Sequence, residues 1–340
     1  MWIIGCDYHA GFQQVAYLNQ TTGESGCRRL EHKSGEADRF YRALAGQAVR
    51  VGMEATGATR WLERLLAELG HELWVGDPAR IRAAAAHKAK TDVRDADLLL
   101  HLLRENRFPR VWTPSPEQRD ARQLFLHRHR LVQMRTRVKN QLQALALNEG
   151  VQRKSRLWSQ AGQQELHSLE LPQWAGVRRW DLLQLLKDLD GKIVPLSQSL
   201  KQQAEQRPEV KRLMTHPGVG PVVGMAFALT LGDPHRFQTG KQVAAYLGLV
   251  PREDSSGGRQ RLGHITKQGN TVLRGLLVEA AQVVARHEPE WRRSHLRLAL
   301  RKNRQIATVA QARRLAVRLW WMWKLGLDYG QARESRSHAE

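Results

Sequence analysis

The first hundred residues alternate short apolar runs with turn residues. Apolar stretches at 2–6 and 14–18, and an edge-type stretch at 27–32, are separated by Asn19, Gly23 and Gly26, which predicts strands joined by tight turns. A further strand at 48–53 runs into Glu54, and the pattern then predicts a helix at 59–69, a strand at 72–75 and a helix at 79–104. Strands first, then strands alternating with helices, indicate an α/β sheet domain. Phe108 to Pro116 holds three prolines, which withdraw backbone donors and stop regular structure, so this domain is expected to span 1–112.

Beyond that linker the period becomes helical. Leu124, Leu131, Val138 and Leu145 recur every seven residues with Met134 between them. Arg128, Arg130, Arg135, Arg137 and Lys139 occupy the other faces, as in a long basic amphipathic helix. Leu182, Leu186, Leu189, Ile193, Leu196 and Leu200 follow a 4-3-4-3-4 spacing, the seam of a coiled coil, with a kink expected at Pro195. Spacing alone leaves two readings open for this 113–206 region: a helical hairpin within one chain, or an oligomer contact. Residues 207–328 read as a mainly helical third domain with a Gly- and Ser-rich interruption at 254–263 and a basic helix at 305–325, and 329–340 as a frayed polar tail. Trp320, Trp321 and Trp323 have helical spacing, which fits core packing better than base stacking.

Charge adds a partner to this picture. Lys and Arg number 54 against 33 Asp and Glu, a formal net charge of +21. Such an excess points to a polyanion, since each phosphate neutralised releases condensed counterions. Cys6 and Cys27 are too few for a disulfide framework or a cysteine zinc site and suit a reducing compartment, the cytoplasm. The start lacks a signal-peptide pattern and no apolar run is long enough to span a bilayer, so neither secretion nor membrane insertion is expected.

Four acids stand where chemistry could use them. Asp7 and Glu54 each follow a hydrophobic strand, and Asp92 and Asp95, three apart on a predicted helix, share one face from which Asp97 departs. Converging carboxylates repel unless cations neutralise them, and oxygen donors suit Mg²⁺ or Mn²⁺, which could activate an attacking oxygen and steady a leaving one. Each acid singly could be a turn residue, a helix cap or a solvated side chain. Gly5-Cys6-Asp7 also admits a phosphate loop of the actin-like ATPase kind, although Tyr8-His9-Ala10 lacks the glycine and threonine expected there.

Two later segments carry further candidates. His216-Pro217-Gly218-Val219-Gly220-Pro221, between helical patterns, resembles the turn of a helix-hairpin-helix module, with Gly218 and Gly220 offering amides to a nucleic-acid phosphate. Ser256 sits beside Gly257 and Gly258, followed by Arg259, Arg261, His264 and Lys267. Glycines give a serine nucleophile room, and cations hold a phosphate. By composition alone the same loop would be a flexible surface loop.

Taken in order, Gly5-Cys6-Asp7, Glu54-Ala55-Thr56-Gly57, Lys90-Thr91-Asp92-Val93-Arg94-Asp95-Ala96, His216-Pro217-Gly218-Val219-Gly220, Gly248-Leu249-Val250-Pro251, Ser256-Gly257-Gly258 and Lys267-Gln268-Gly269-Asn270 resemble the transposases of the IS110 type, which include bridge-RNA-guided recombinases. The resemblance spans nearly the whole chain and implies an RNase H-like (RuvC-like) first domain whose Asp-Glu-Asp-Asp tetrad is Asp7, Glu54, Asp92 and Asp95. It also implies a C-terminal transposase domain with Ser256 as nucleophile, Ser255 being the alternative one position away. A covalent serine-DNA link formed with metal at the tetrad, donor and target DNA as substrates, a noncoding bridge RNA as guide, a bacterial nucleoid setting, and a dimer or tetramer joined partly through the central helices are implied in the same way. Tyr8-His9 departs from the small residue and lysine frequent after the first aspartate. Two rival classes remain from the residues themselves: a RuvC-like nuclease using metal-activated water, and a non-catalytic nucleic-acid-binding protein.

Overall fold

A computed structural model describes residues 1–85, 91–152, 154–256 and 259–337. The chain forms two compact units, Met1–Thr113 and Pro114–Glu340.

The first unit comprises β1 (Trp2–Tyr8), β2 (Phe12–Asn19), β3 (Ser25–Glu31), α1 (Glu36–Arg42), β4 (Val49–Glu54), α2 (Arg60–Glu68), β5 (Glu72–Gly76), α3 (Pro78–Ala84) and α4 (Asp92–Arg104). Its mixed sheet has the order β3-β2-β1-β4-β5, antiparallel across the first three strands and parallel from β1 through β4 to β5. Side chains alternate across a strand. Trp2, Ile4 and Cys6 accordingly enter the core shared with Tyr41, Leu62 and Leu66, whereas Ile3 joins Leu99, Leu102, Leu103 and Phe108 on the α4 face. Gly5 shares the Ile3 face: a Cβ there would lie 2.3 Å from the Ala96 carbonyl oxygen and 2.4 Å from the Leu100 nitrogen, so glycine is what lets α4 lie on β1.

The second unit comprises α5 (Pro116–Asn148), α6 (Gln160–Ser168), α7 (Gln173–Gln206), α8 (Pro208–Met214), α9 (Pro221–Leu231), α10 (Gly240–Tyr246), the hairpin β6 (Pro251–Glu253) and β7 (Leu262–Ile265), α11 (Thr271–His287), α12 (Pro289–Arg301), α13 (Arg304–Leu325) and α14 (Tyr329–Ser337). Leu131, Val138 and Leu142 of α5 meet Leu182, Leu189 and Ile193 of α7 in a shared core. Arg135 bonds Asp190 and Arg128 bonds Ser197, so the two helices run antiparallel within one chain. A larger core gathers α8, α9, α10, α11 and α13 around Phe227, Leu315 and Trp320.

Several expectations need correction. The stretch 79–104 divides into α3, capped by Asp77, and α4, capped by Thr91, because each helix finds its own N-terminal acceptor. Leu124 is exposed and Phe125 takes the buried position at that turn. Helix α7 runs through Pro195, as the spacing indicates, with the proline on the exposed side, where water can satisfy the carbonyl that loses its partner. The 254–263 interruption is the upper part of a hairpin, and the supposed tail starts as a helix because Tyr329 is buried against His216. The core reading of the tryptophans holds for Trp320, which is fully buried and donates to the Pro234 carbonyl, and for Trp323, which packs against the same core; Trp321 departs from it and is half-exposed. Among the described residues no helix is long and apolar enough to cross a membrane.

Candidate metal centre and serine hairpin

Strand alternation carries the α4 face from Ile3 through Gly5 to Asp7. On β4 it runs through Gly52, where a Cβ would lie 2.7 Å from Leu103 Cδ1 and 2.9 Å from Phe108 Cε2, to Glu54. The Gly5–Gly52 and Cys6–Met53 pairs hold the two strands in register, so Asp7 and Glu54 leave adjacent parallel strands at the same end. Helix α4 begins at that end, with Asp92 and Asp95 in its first turn. Three side chains meet there. His9 Nε2 lies 3.0 Å from Asp7 Oδ2 and 3.6 Å from Asp92 Oδ1, and one donor atom from each of Asp7, His9 and Asp92 falls within 4.8 Å of the others.

Glu54 and Asp95 are half-buried and outside this trio: Asp95 acts on Asp7 by its charge, and Glu54 stands at the end of the neighbouring strand. Asp95 also lines a cavity of about 730 Å³ between α4 and the β2–β3 edge, where Tyr17 and Cys27 form the opposite wall. Burial pushes the Asp7 carboxyl up from its ordinary value. His9 opposes that rise by charge and hydrogen bond, and the charges of Asp95 and Asp92 add to it. Like charges crowded onto a partly buried carboxylate form a donor set that a divalent cation would relieve, and carboxylate oxygens suit a hard one.

The departure at Tyr8-His9 has a structural account. Tyr8 Oη donates to the Ala58 carbonyl and accepts from Trp61 Nε1, which pins the loop after Glu54 to the end of β1. His9 is the site residue that the sequence pattern missed. Its signal was its place two residues after Asp7, which brings it back to the same face. Lys90 lies outside the described residues.

In the second unit, Ser256 is exposed near the tip of the β6–β7 hairpin and Arg259 faces it across an isolated bridge, its N–H donating to the Ser256 carbonyl at 3.1 Å. The neighbouring hydroxyl is occupied: Ser255 Oγ donates to Glu253 Oε1 at 2.8 Å and accepts from the Arg261 N–H at 3.1 Å. Among the described residues no hydrogen bond engages Ser256 Oγ. Gly257 and Gly258 lie outside the described residues.

The hairpin foot is fastened. Gly248 (φ +66) and Gly269 (φ +83) adopt left-handed backbone, and a Cβ on either would lie 2.0 Å from the Gln268 and 2.1 Å from the Tyr246 carbonyl oxygen respectively. Buried Arg274 donates to the carbonyls of Leu247 and Gln268, tying both turns to α11. Exposed Lys267 sits at this foot rather than at the tip.

The turn between α8 and α9 divides its glycines. Gly218 (φ +77) packs against α11, where a Cβ would lie 2.8 Å from Val284 Cγ2. Gly220 is exposed, with open space around it, at the start of α9. His216 is buried between Trp291 and Tyr329, and burial brings its pKa down to about 4.

Residues 210–296 match a family model described as "Transposase IS116/IS110/IS902 family". Residues 4–149 match a DEDD-type IS110 model described as "Transposase". A probable family 20 transposase of Pseudomonas aeruginosa is 32% identical over 86% of this chain and 88% of its own length. The transposase for insertion sequence element IS1111A of Coxiella burnetii is 28% identical over 70% of this chain and 66% of its own. A pilin gene-inverting protein of Moraxella bovis is 26% identical over 68% and 66%. The chain therefore belongs to the IS110 family of transposases, enzymes that act on DNA.

Proposed function

We propose that this transposase cuts and rejoins DNA through a covalent link to Ser256, with Asp7, Glu54, Asp92 and Asp95 holding Mg²⁺ or Mn²⁺. The observation that carries the reading is the convergence of Asp7, Asp92 and His9 where α4 meets the ends of β1 and β4. The mixed sheet with its β3-β2-β1-β4-β5 order supports an RNase H-like (RuvC-like) first unit. A divalent ion there would neutralise charge gathering on a scissile phosphate.

The chain's own groups divide the remaining work. Ser256 Oγ, without a hydrogen bond among the described residues, forms a bond to phosphorus while the bond from phosphorus to a deoxyribose oxygen breaks. The serine proton passes to solvent base and the departing hydroxyl takes one up. One phosphodiester replaces another, so attack by a second strand's hydroxyl can reverse the step and free the serine without ATP. Arg259, facing Ser256, balances charge on the phosphate, with Arg261 beside it and Lys267 at the foot. The amides at Gly220, with Gly218 shaping the turn, contact a phosphate further along in the manner of a helix-hairpin-helix.

A noncoding bridge RNA would account for a net charge of +21. The exposed Trp174, Val177 and Trp180 on α7 support assembly into a dimer or tetramer. The relative named as a gene-inverting protein fits a reaction in which DNA ends are rejoined.

Incubating the protein with Mg²⁺, candidate element-flanking RNA and labelled donor and target DNA tests the reading. Wild type is expected to give a covalent protein-DNA adduct and recombinant product, both absent from Ser256→Ala. Metal-dependent nicks that persist undiminished in Ser256→Ala would replace the recombinase reading with a nuclease using activated water.

A further inference from the structure

A second cleft, in the helical unit, shares no residue with the serine hairpin. It measures about 700 Å³ and lies among α11, α12 and α13, lined by Arg286, Arg292, His295, Leu296, Arg304 and Thr308 among others, with no carboxylate in its wall. The three arginines are exposed, and among the described residues none forms an ion pair. The acids adjoining α12 are engaged elsewhere: Glu290 by Arg314 and Glu288 by Arg333. His295 Nε2 lies 3.1 Å from Thr308 Oγ1, which braces one wall. Arg304 and Gln305 open α13, whose N-terminal dipole adds to the same field.

Unpaired guanidiniums facing one concavity repel one another and cost stability unless an anion completes them. A guanidinium fork matches phosphate oxygens in shape and charge. We propose that this cleft binds the phosphodiester backbone of a nucleic-acid strand, independently of base sequence and of the serine chemistry. It would position substrate or guide rather than react with it.

The test is binding by the full-length protein in EDTA, so that it stands apart from any metal-dependent cleavage at Ser256. A labelled DNA duplex and a labelled single-stranded RNA are titrated in parallel across a salt series. The variant is Arg286→Gln/Arg292→Gln/Arg304→Gln. Its control is Arg293→Gln/Arg297→Gln/Arg301→Gln, which removes the same charge from α12 outside the cleft wall.

Each lost phosphate contact should take about 1 from the slope of log affinity against log salt. The cleft variant should therefore bind roughly tenfold or more weakly near physiological salt, and the control much less so. Arg304→Gln alone should take about a third of the slope change. Loss for one probe supports the cleft and identifies its strand as DNA or RNA; loss for both supports a site that accepts either. Equal weakening in cleft variant and control, or wild-type binding of both probes by the cleft variant, overturns the proposal.

Discussion

His216 shows how one residue of a motif can serve the fold instead of the chemistry. Its ring stands edge-on to Trp291 and its Nδ1 lies 2.8 Å from the Pro217 carbonyl oxygen. Burial, reinforced by Arg318 and Arg314, lowers its pKa to about 4 from the ordinary histidine value of 6.5. Between those values the unfolded chain takes up a proton that the folded chain refuses. The stabilisation is therefore full above about pH 6.5 and is lost as pH falls towards 4. Acidification from pH 7 to 5 should cost about 2 kcal/mol through this residue. Urea unfolding of wild type and His216→Gln at the two pH values checks this: the variant should lose less on acidification, and an equal loss would exclude the linkage. The sequence could not assign this role, because Trp291 and Tyr329 are distant in the chain. Asp7 and Glu54 were legible because the alternation of a buried strand fixes the face of a carboxylate at its end, although both lie within their strands rather than after them. His9 was passed over because it lies just beyond the strand whose alternation it continues.

At the scale of elements, the proposed metal centre depends on how closely α4 sits on β1. In Gly5→Ala the new methyl would meet helix backbone at Ala96 and Leu100, which cannot swing aside as a side chain can. The variant should lose about 1–3 kcal/mol of stability, as overpacking does. It should also lose metal-dependent DNA cleavage while keeping metal-free DNA binding. Circular dichroism melts and the strand-cleavage assay check both halves, and unchanged cleavage would show that the acids tolerate a shift of α4. The sheet could be read from alternation, but α1 is a helix of only seven residues, flanked by turns, with only Ala37 and Tyr41 buried, too little for a periodic signal. The β6–β7 hairpin was hidden for a related reason: Leu262 is exposed and neither strand has a buried side, so no period-two pattern marks it. Its foot was nevertheless written in the sequence, as Gly248, Gly269 and Arg274, and became intelligible once their contacts were known.

For the whole molecule, the seven-residue repeats of α5 and α7 could mean pairing within a chain or between chains. The structure spends their buried seam on intramolecular packing and leaves a separate apolar ridge at the start of α7. The basic excess was visible in composition. Its concentration in an arginine cleft was not, because Arg286, Arg292 and Arg304 come from three helices whose packing brings them to one wall. Another whole-chain property follows from the two cysteines. Cys6 is buried in the sheet core and its thiol is pushed up to about 12, which withholds the reactive thiolate, whereas Cys27 is exposed on β3 beside the cavity that Asp95 lines. The folded wild-type chain thus carries a built-in attachment point for a single fluorophore or spin label. Mass spectrometry after brief maleimide treatment should find one adduct, on Cys27, and two would show that the sheet core opens. A reporter fixed there could follow cation arrival at the carboxylates without any engineered substitution.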